Sequence, residues 1–283
     1  MILEAGSFMW DMISGVWNLM SRTCPLYDEN QETDLEFFMH ENHPAAKLAY
    51  HGSIVDPKEL PAINMIYIGG IGNRFECCIN RAYLLSKTYY NGLRYANVFT
   101  LDHMGYSDME DLISSIQRLV HEVKLTWPNV PVVLVGFSLG TGLLIQVALR
   151  EQVDGLILFN AYEHPSDLLE KEYLRPVTDY FVGVSLDSLE GLAQLKGRYH
   201  IVARQSKQQI QVETHTKMPV YIFTSLNDGV IMPKHGRKLA QEATKNPNLQ
   251  VHYYAHPGDH SDIFHQDVLL SIFSSLDKTL DFN

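Results

Sequence analysis

The chain has 283 residues, 46% hydrophobic and 19% charged, enough apolar material for a sizeable core, which excludes a disordered chain. Its formal net charge of −11 argues against nucleic acid as a partner, because phosphate backbones are held by clustered Lys and Arg; the acidity is read as solubility. The three cysteines, Cys24 and the adjacent Cys77 and Cys78, make no disulfide framework, so a reducing, cytoplasmic setting is expected, with Cys77 and Cys78 as small buried hydrophobes.

The segment MILEAGSFMWDMISGVWNLMSR opens the chain. It is mostly apolar, but Glu4 and Asp11 interrupt it and no Lys or Arg precedes it, so neither a secretory leader nor a membrane span is expected. Glu4, Ser7, Asp11, Ser14 and Asn18 recur at spacings of three and four and would form a narrow polar stripe on a helix. The wide apolar face that remains, with Phe8, Trp10, Ile13 and Trp17, must be covered. The protein's own body, a second subunit and a membrane surface all stand as covers for residues 1–22. Residues 1–30 are set apart as this helix, and 31–283 as one domain.

Further on, short apolar runs alternate with helical periodicity. Leu35–Phe38 and Ala46–Tyr50 are expected as strands around a short connection. Strands follow at Asn64–Ile68, Ala96–Leu101, Val130–Val135, Val153–Asn160, Val220–Ser225 and Leu249–Ala255. Helices are expected at Ile79–Tyr90, Asp108–Leu125, Leu139–Glu151, Lys234–Thr244 and Asp267–Leu280. Continuous apolar strands alternating with helices predict an α/β fold, a mostly parallel sheet covered on both faces. Ligands of such sheets bind beyond the carboxyl ends of the strands, so the polar residues just after each strand carry the functional reading.

After the strand ending in Val135 comes Gly136-Phe137-Ser138-Leu139-Gly140, a G-x-S-x-G pattern with a strand before it and a helix after it. A serine lifted above a sheet in this way sits on a strained turn, and side chains at the flanking positions would meet backbone. Ser138 is therefore the candidate nucleophile, and the Leu139 N–H, at the start of a helix, a candidate oxyanion donor. A serine hydroxyl needs a base, and the base an orienting acid. Asp228 lies just past the strand at Val220–Ser225, and His260 follows a Pro257-Gly258 turn after the strand at Leu249–Ala255. They are the candidate acid and base, with His256 a lesser candidate base. A plain turn-forming role competes for Asp228. Asp259 is a rival acid, but neighbouring side chains in an extended loop diverge. Pro257-Gly258 keeps His256 and His260 off one helical face, so no metal is expected, nor any other cofactor. The second oxyanion donor is placed in Gly69-Gly70-Ile71-Gly72-Asn73-Arg74, at Gly70 or alternatively Ile71. No Lys-Ser/Thr follows at the spacing of a phosphate loop.

With these residues in place the sequence resembles the α/β-hydrolase superfamily from about Leu35 onward. It is closest in its motifs to the α/β-hydrolase-domain (ABHD) lipases and depalmitoylases. GGIGNR at Gly69–Arg74 resembles their His-Gly-Asn-Ala-Gly-Asn-Arg oxyanion loop. Leu101–Ser107 resembles their Asp-x-Arg-Gly-x-Gly-x-Ser block, and Ser138–Gly142 their Ser-Leu-Gly-Thr-Gly elbow. Asn227–Leu239 and Pro257–Asp262 resemble the segments that carry acid and base. The chain departs at Ile68, where the family has His, and at His103-Met104, which removes a usual ion pair. Residues 163–217 are longer than the minimal branch. They are read as a small cap insertion, with Tyr199–Arg204 and Gln209–Glu213 as a hairpin near the site. The resemblance implies a serine hydrolase of esters or thioesters of lipid-like acyl groups: lysophospholipids, monoacylglycerols or S-acylated proteins; a small-ester esterase, a serine peptidase and an inert binding protein on the same fold stand as alternatives. The substrate is the expected partner.

Overall fold

The computed structural model of the chain describes residues 33–50, 60–70, 73–90, 94–103, 106, 108–165, 186–202 and 212–280. The helix expected within residues 1–30 lies outside the described residues, as does Ile71.

β1 (Thr33–His40) and β2 (His43–Tyr50) form an antiparallel hairpin. Its two turn residues, Glu41 and Asn42, have φ of 50° and 70°, the left-handed pair that matches a two-residue turn to the twist of its strands. Pairing runs up to His40↔His43, so both strands are longer than their apolar cores. The remaining strands are β3 (Ile63–Ile68), β4 (Ala96–Leu101), β5 (Val132–Phe137), β6 (Gly155–Phe159), β7 (Arg198–Val202), β8 (Val212–Thr216), β9 (Met218–Ser225) and β10 (Leu249–His256). The helices are α1 (Phe75–Tyr89), α2 (Met109–Thr126), α3 (Leu139–Arg150), α4 (Ser188–Gln194), α5 (Pro233–Ala243) and α6 (Gln266–Leu280). β5 begins two residues later than the apolar run, because Pro131 has no N–H to give the ladder.

Eight strands form one sheet in the order β1-β2-β4-β3-β5-β6-β9-β10. β1, β2 and β4 pair antiparallel, and every other pairing in this sheet is parallel. All residues of β3, β4, β5, β6 and β9 are buried, as strands covered on both faces must be. On one face Leu112, Ile116, Leu119, Leu143, Leu144, Leu192 and Leu239 of α2, α3, α4 and α5 pack on the sheet. On the other, Ala82 and Leu85 of α1 meet Leu269, Ile272 and Leu276 of α6. β3 passes to β4 on one side, and β5 passes to β6 on the other. The carboxyl ends of β3 and β5 therefore flank the crevice where the strand order reverses.

The chain between β6 and β9 contains the expected hairpin, but at the opposite end of the sheet from the one expected. β7 pairs with β8, one residue separates β8 from the start of β9, and the Arg198 guanidinium donates to the Thr279 carbonyl near the end of α6. Running straight into the amino end of β9 fixes the hairpin there, a strand's length from Ser138. α4 packs between α3 and α5 as part of the helical layer. Buried Asn246 anchors it by donating to the carbonyls of Leu192, Ala193 and Leu195. Among the described residues no helix is long and apolar enough to cross a membrane.

α3 leaves β5 so closely that two glycines of the G-x-S-x-G stretch are sterically required. A Cβ on Gly140 would lie 2.2 Å from the Ile68 carbonyl oxygen, and one on Gly136 would lie 2.8 Å from the Thr141 Cα. Both obstacles are backbone and cannot swing aside. Gly229 has nothing within 4 Å of such a Cβ. Gly140→Ala is expected to destabilise the protein by about 1–3 kcal/mol or more, and Gly229→Ala by less than about 0.5 kcal/mol. Urea midpoints check both, and equal midpoints for the two variants would refute the steric account.

Candidate active site

Ser138 follows β5 with φ 54° and ψ −119°, a conformation that non-glycine residues rarely hold. Its N–H still donates to Phe159 O of β6 at 3.0 Å, and its C=O accepts from the Thr141 N–H and hydroxyl. A serine before a helix ordinarily spends its hydroxyl capping the first turn. Ser138 makes no side-chain cap, so its Oγ is not committed to α3. Leu139, the first residue of α3, presents an N–H that the helix geometry itself leaves without an intrahelical partner.

Asp228 and His260 come together from the ends of β9 and β10. His260 Nδ1 lies 2.7 Å from Asp228 Oδ2, with both side chains buried. A carboxylate only accepts, so in the neutral imidazole Nδ1 carries the hydrogen and Nε2 the lone pair. Nε2 is buried without a hydrogen-bond partner. The other oxygen, Oδ1, accepts from the N–H groups of Val230 and Ile231 at 2.7 and 2.8 Å. The turn-forming role weighed for Asp228 is thus real, and the same carboxylate also meets His260. Asp259 is occupied locally, accepting from Ser261 N–H, and does not meet His260. His256 packs near Phe223 and His265 rather than against Asp228. The His260 ring lies 4.9 Å from the ring of Phe137, the residue before Ser138. Among the described residues no group of three His, Cys, Asp or Glu is placed to hold a metal ion.

Gly70 closes the site from β3. A Cβ there would stand 2.9 Å from Ser138 Cβ, so only glycine lets this backbone lie against the serine. Its surroundings were not read from the sequence. His103 Nε2 lies 3.0 Å from the Gly70 carbonyl and therefore donates to it, which leaves Nδ1 as acceptor for the Cys78 thiol, 4.0 Å away. Burial pushes the Cys78 thiol up to about 12, so it stays an S–H donor. The Asn73 amide, turned with its oxygen toward two donors, accepts from Arg81 Nη1 at 2.7 Å and from the Gly70 N–H at 2.8 Å. The N–H expected to face an oxyanion thus donates to Asn73 in this state. Arg81 itself is buried, 4.3 Å over the Phe137 ring and 5.1 Å from that of Phe264. The departures at Ile68 and His103 were the available signal: the loop that lacks a histidine of its own takes one from the end of β4.

No protein-family model and no curated protein sequence matches the chain. Solved structures do, at identities that speak to fold alone. The chain is similar to the esterase Pf2001 of Pyrococcus furiosus, with 14% identity and TM-score 0.57 over 90% of this chain and 98% of the other. It is similar to a soluble variant of the monoglyceride lipase of Saccharomyces cerevisiae, with 13% identity and TM-score 0.58 over 91% and 98%. An esterase of the bacterial hormone-sensitive lipase family matches with 13% identity and TM-score 0.60 over 93% and 89%. The architecture is the α/β-hydrolase fold.

Burial holds the His103 imidazole below its ordinary value of 6.5, against the opposing pull of the Gly70 carbonyl and Asp102. An unfolded chain takes up that proton near 6.5, whereas the folded one stays neutral to lower pH. Stability is therefore full above about 6.5 and falls as pH drops toward the folded value. His103→Gln keeps a donor for Gly70 but cannot titrate. Urea melts at pH 7.5 and 5.5 are expected to show the wild type losing more stability than this variant, by up to about 1.4 kcal/mol per pH unit. Equal losses would remove His103 as the cause.

Proposed function

We propose that the protein is a serine hydrolase that cleaves carboxylic esters or thioesters of lipid-like acyl groups through an acyl-enzyme. The observation that carries this reading is the His260–Asp228 bond, which leaves Nε2 buried and without a hydrogen-bond partner among the described residues, with the His260 ring 4.9 Å from that of Phe137, the residue before Ser138. In this mechanism Ser138 Oγ attacks the acyl carbon while His260 Nε2 takes its proton. Asp228 holds the imidazole in the tautomer that makes Nε2 the base and favours the imidazolium that forms. The Leu139 N–H meets the developing oxyanion, with the second donor from Gly70 or Ile71. If the donor is Gly70, its N–H turns from Asn73 as the negative charge builds. The protonated His260 then gives its proton to the departing alcohol or thiol. Water, deprotonated by the same nitrogen, attacks the acyl-enzyme, releases the acid and restores Ser138.

The lipid-like substrate class rests on motif resemblance to the ABHD lipases and depalmitoylases, and on likeness to a fold neighbour that is itself a monoglyceride lipase. A cytoplasmic enzyme meeting a membrane surface or a second subunit through residues 1–22 fits such substrates.

Fluorophosphonate is expected to label the protein at Ser138. Ser138→Ala should lose the label and at least about 1000-fold of the ester-hydrolysis rate. Equal labelling of wild type and variant would overturn the serine mechanism. Across nitrophenyl esters from acetate to laurate, kcat/KM is expected to rise with chain length, as each buried methylene adds about 0.8 kcal/mol of transfer free energy. Activity confined to acetate and butyrate would leave the mechanism standing and reject the lipid-like acyl group.

A further inference from the structure

Asn160 follows β6 at the carboxyl edge of the sheet, and no motif singles it out. It is 2% exposed, and its backbone sits at φ 47°, which asparagine tolerates better than most residues. Its own N–H donates to Phe223 O of β9 at 2.8 Å. Its side-chain oxygen accepts from the Ser225 N–H at 2.8 Å, and its amide nitrogen donates to Ser225 Oγ at 3.1 Å and to the His260 carbonyl at 3.0 Å. The amide orientation follows from these partners, because the Ser225 N–H can only donate and the His260 carbonyl can only accept. Every polar atom of this buried side chain is used, and its partners come from the end of β9 and the loop after β10. A hydrophobic residue here would strand two buried backbone groups. An aspartate would set an oxygen against the His260 carbonyl.

We propose that Asn160 is a positioning residue for His260, an inference that rests on His260 being the base of the proposed function. Two anchors locate the imidazole. Asp228 holds the ring at Nδ1, and Asn160 holds the main chain of the same residue at its carbonyl. Neither anchor sits on the His260 loop itself. One comes from the end of β6 and the other from the turn after β9, and Ser225 ties those two strand ends together through the same Asn160 amide. A loop free to shift its carbonyl would move Nε2 relative to Ser138 while leaving the Asp228 bond intact. Loss of Asn160 therefore acts on the chemical step rather than on substrate binding.

Two variants and one measurement on the unmodified protein test this. Asn160→Gly keeps the left-handed backbone without strain and removes the amide. Asn160→Asp keeps the size, the tolerated backbone and the acceptor for the Ser225 N–H, but loses the donor to His260. Active sites are counted by fluorophosphonate titration, so that a smaller folded fraction lowers the count and not the rate per site. Both variants are expected to lose about 10- to 100-fold in kcat per titrated site, with KM changed less than about threefold. Full kcat per site in either variant would reduce Asn160 to a structural residue. In the wild type, the Asn160 side-chain NH2 is expected to exchange slowly with solvent by NMR, and fast exchange would overturn the bond to His260 even if a variant did not fold. Failure of the wild type to label at all would defeat the serine-hydrolase reading instead, with the exchange result untouched.

Discussion

Ser138 is held in a backbone conformation that costs on the order of 1–3 kcal/mol for a residue with a side chain, and much of the surrounding structure maintains it. The strand before it is fully buried, and its N–H stays in the ladder to β6 through Phe159. The helix after it can start at once only because Gly136 and Gly140 carry no Cβ. Gly70 lies against the serine for the same reason. Rigidity comes from the two apolar layers that clamp the sheet, and the strain is concentrated at the residue whose hydroxyl is left uncommitted.

Several buried polar side chains at the strand ends around Ser138 use all their donors and acceptors. Asp228 uses both oxygens, Asn160 its whole amide, and His103 both ring nitrogens. Against that background the unpartnered Nε2 of His260 stands out. Thr224 Oγ1 and Tyr253 OH are also buried without a partner. Two asymmetric supports meet at Ser138. The Gly70 side leans on α1 and the end of β4 through Arg81, Asn73 and His103, and the His260 side leans on β6 and β9 through Asn160 and Ser225.

Most of the sheet was legible because its strands are uninterrupted apolar runs, and such runs leave little choice but burial on both faces. Ser138, Asp228 and His260 were legible because each follows such a run at the edge where ligands of these sheets bind. Asn160 falls inside the strand expected over Val153–Asn160 and is given no role there, since its partner, the His260 carbonyl, lies 100 residues away in sequence. His103 was noticed only as a departure from a pattern. Its donor role depends on Gly70 being within reach, which is a fact of tertiary structure. The hairpin at β7 and β8 was legible as alternation, but its location was not, because strand pairing carries no information about which pole of a sheet it occupies.

That location has a further consequence. By the strand register Ser138 lies level with Thr224, six residues along β9 from Met218, so the hairpin and Ser138 are separated by roughly 20 Å of strand. The chain can therefore change at one pole without crowding the other. A fusion or surface label placed on β7 or β8 lies away from the carboxyl ends of the strands and from the loop that carries His260. The paired strands β7 and β8 stand at that pole as a handle.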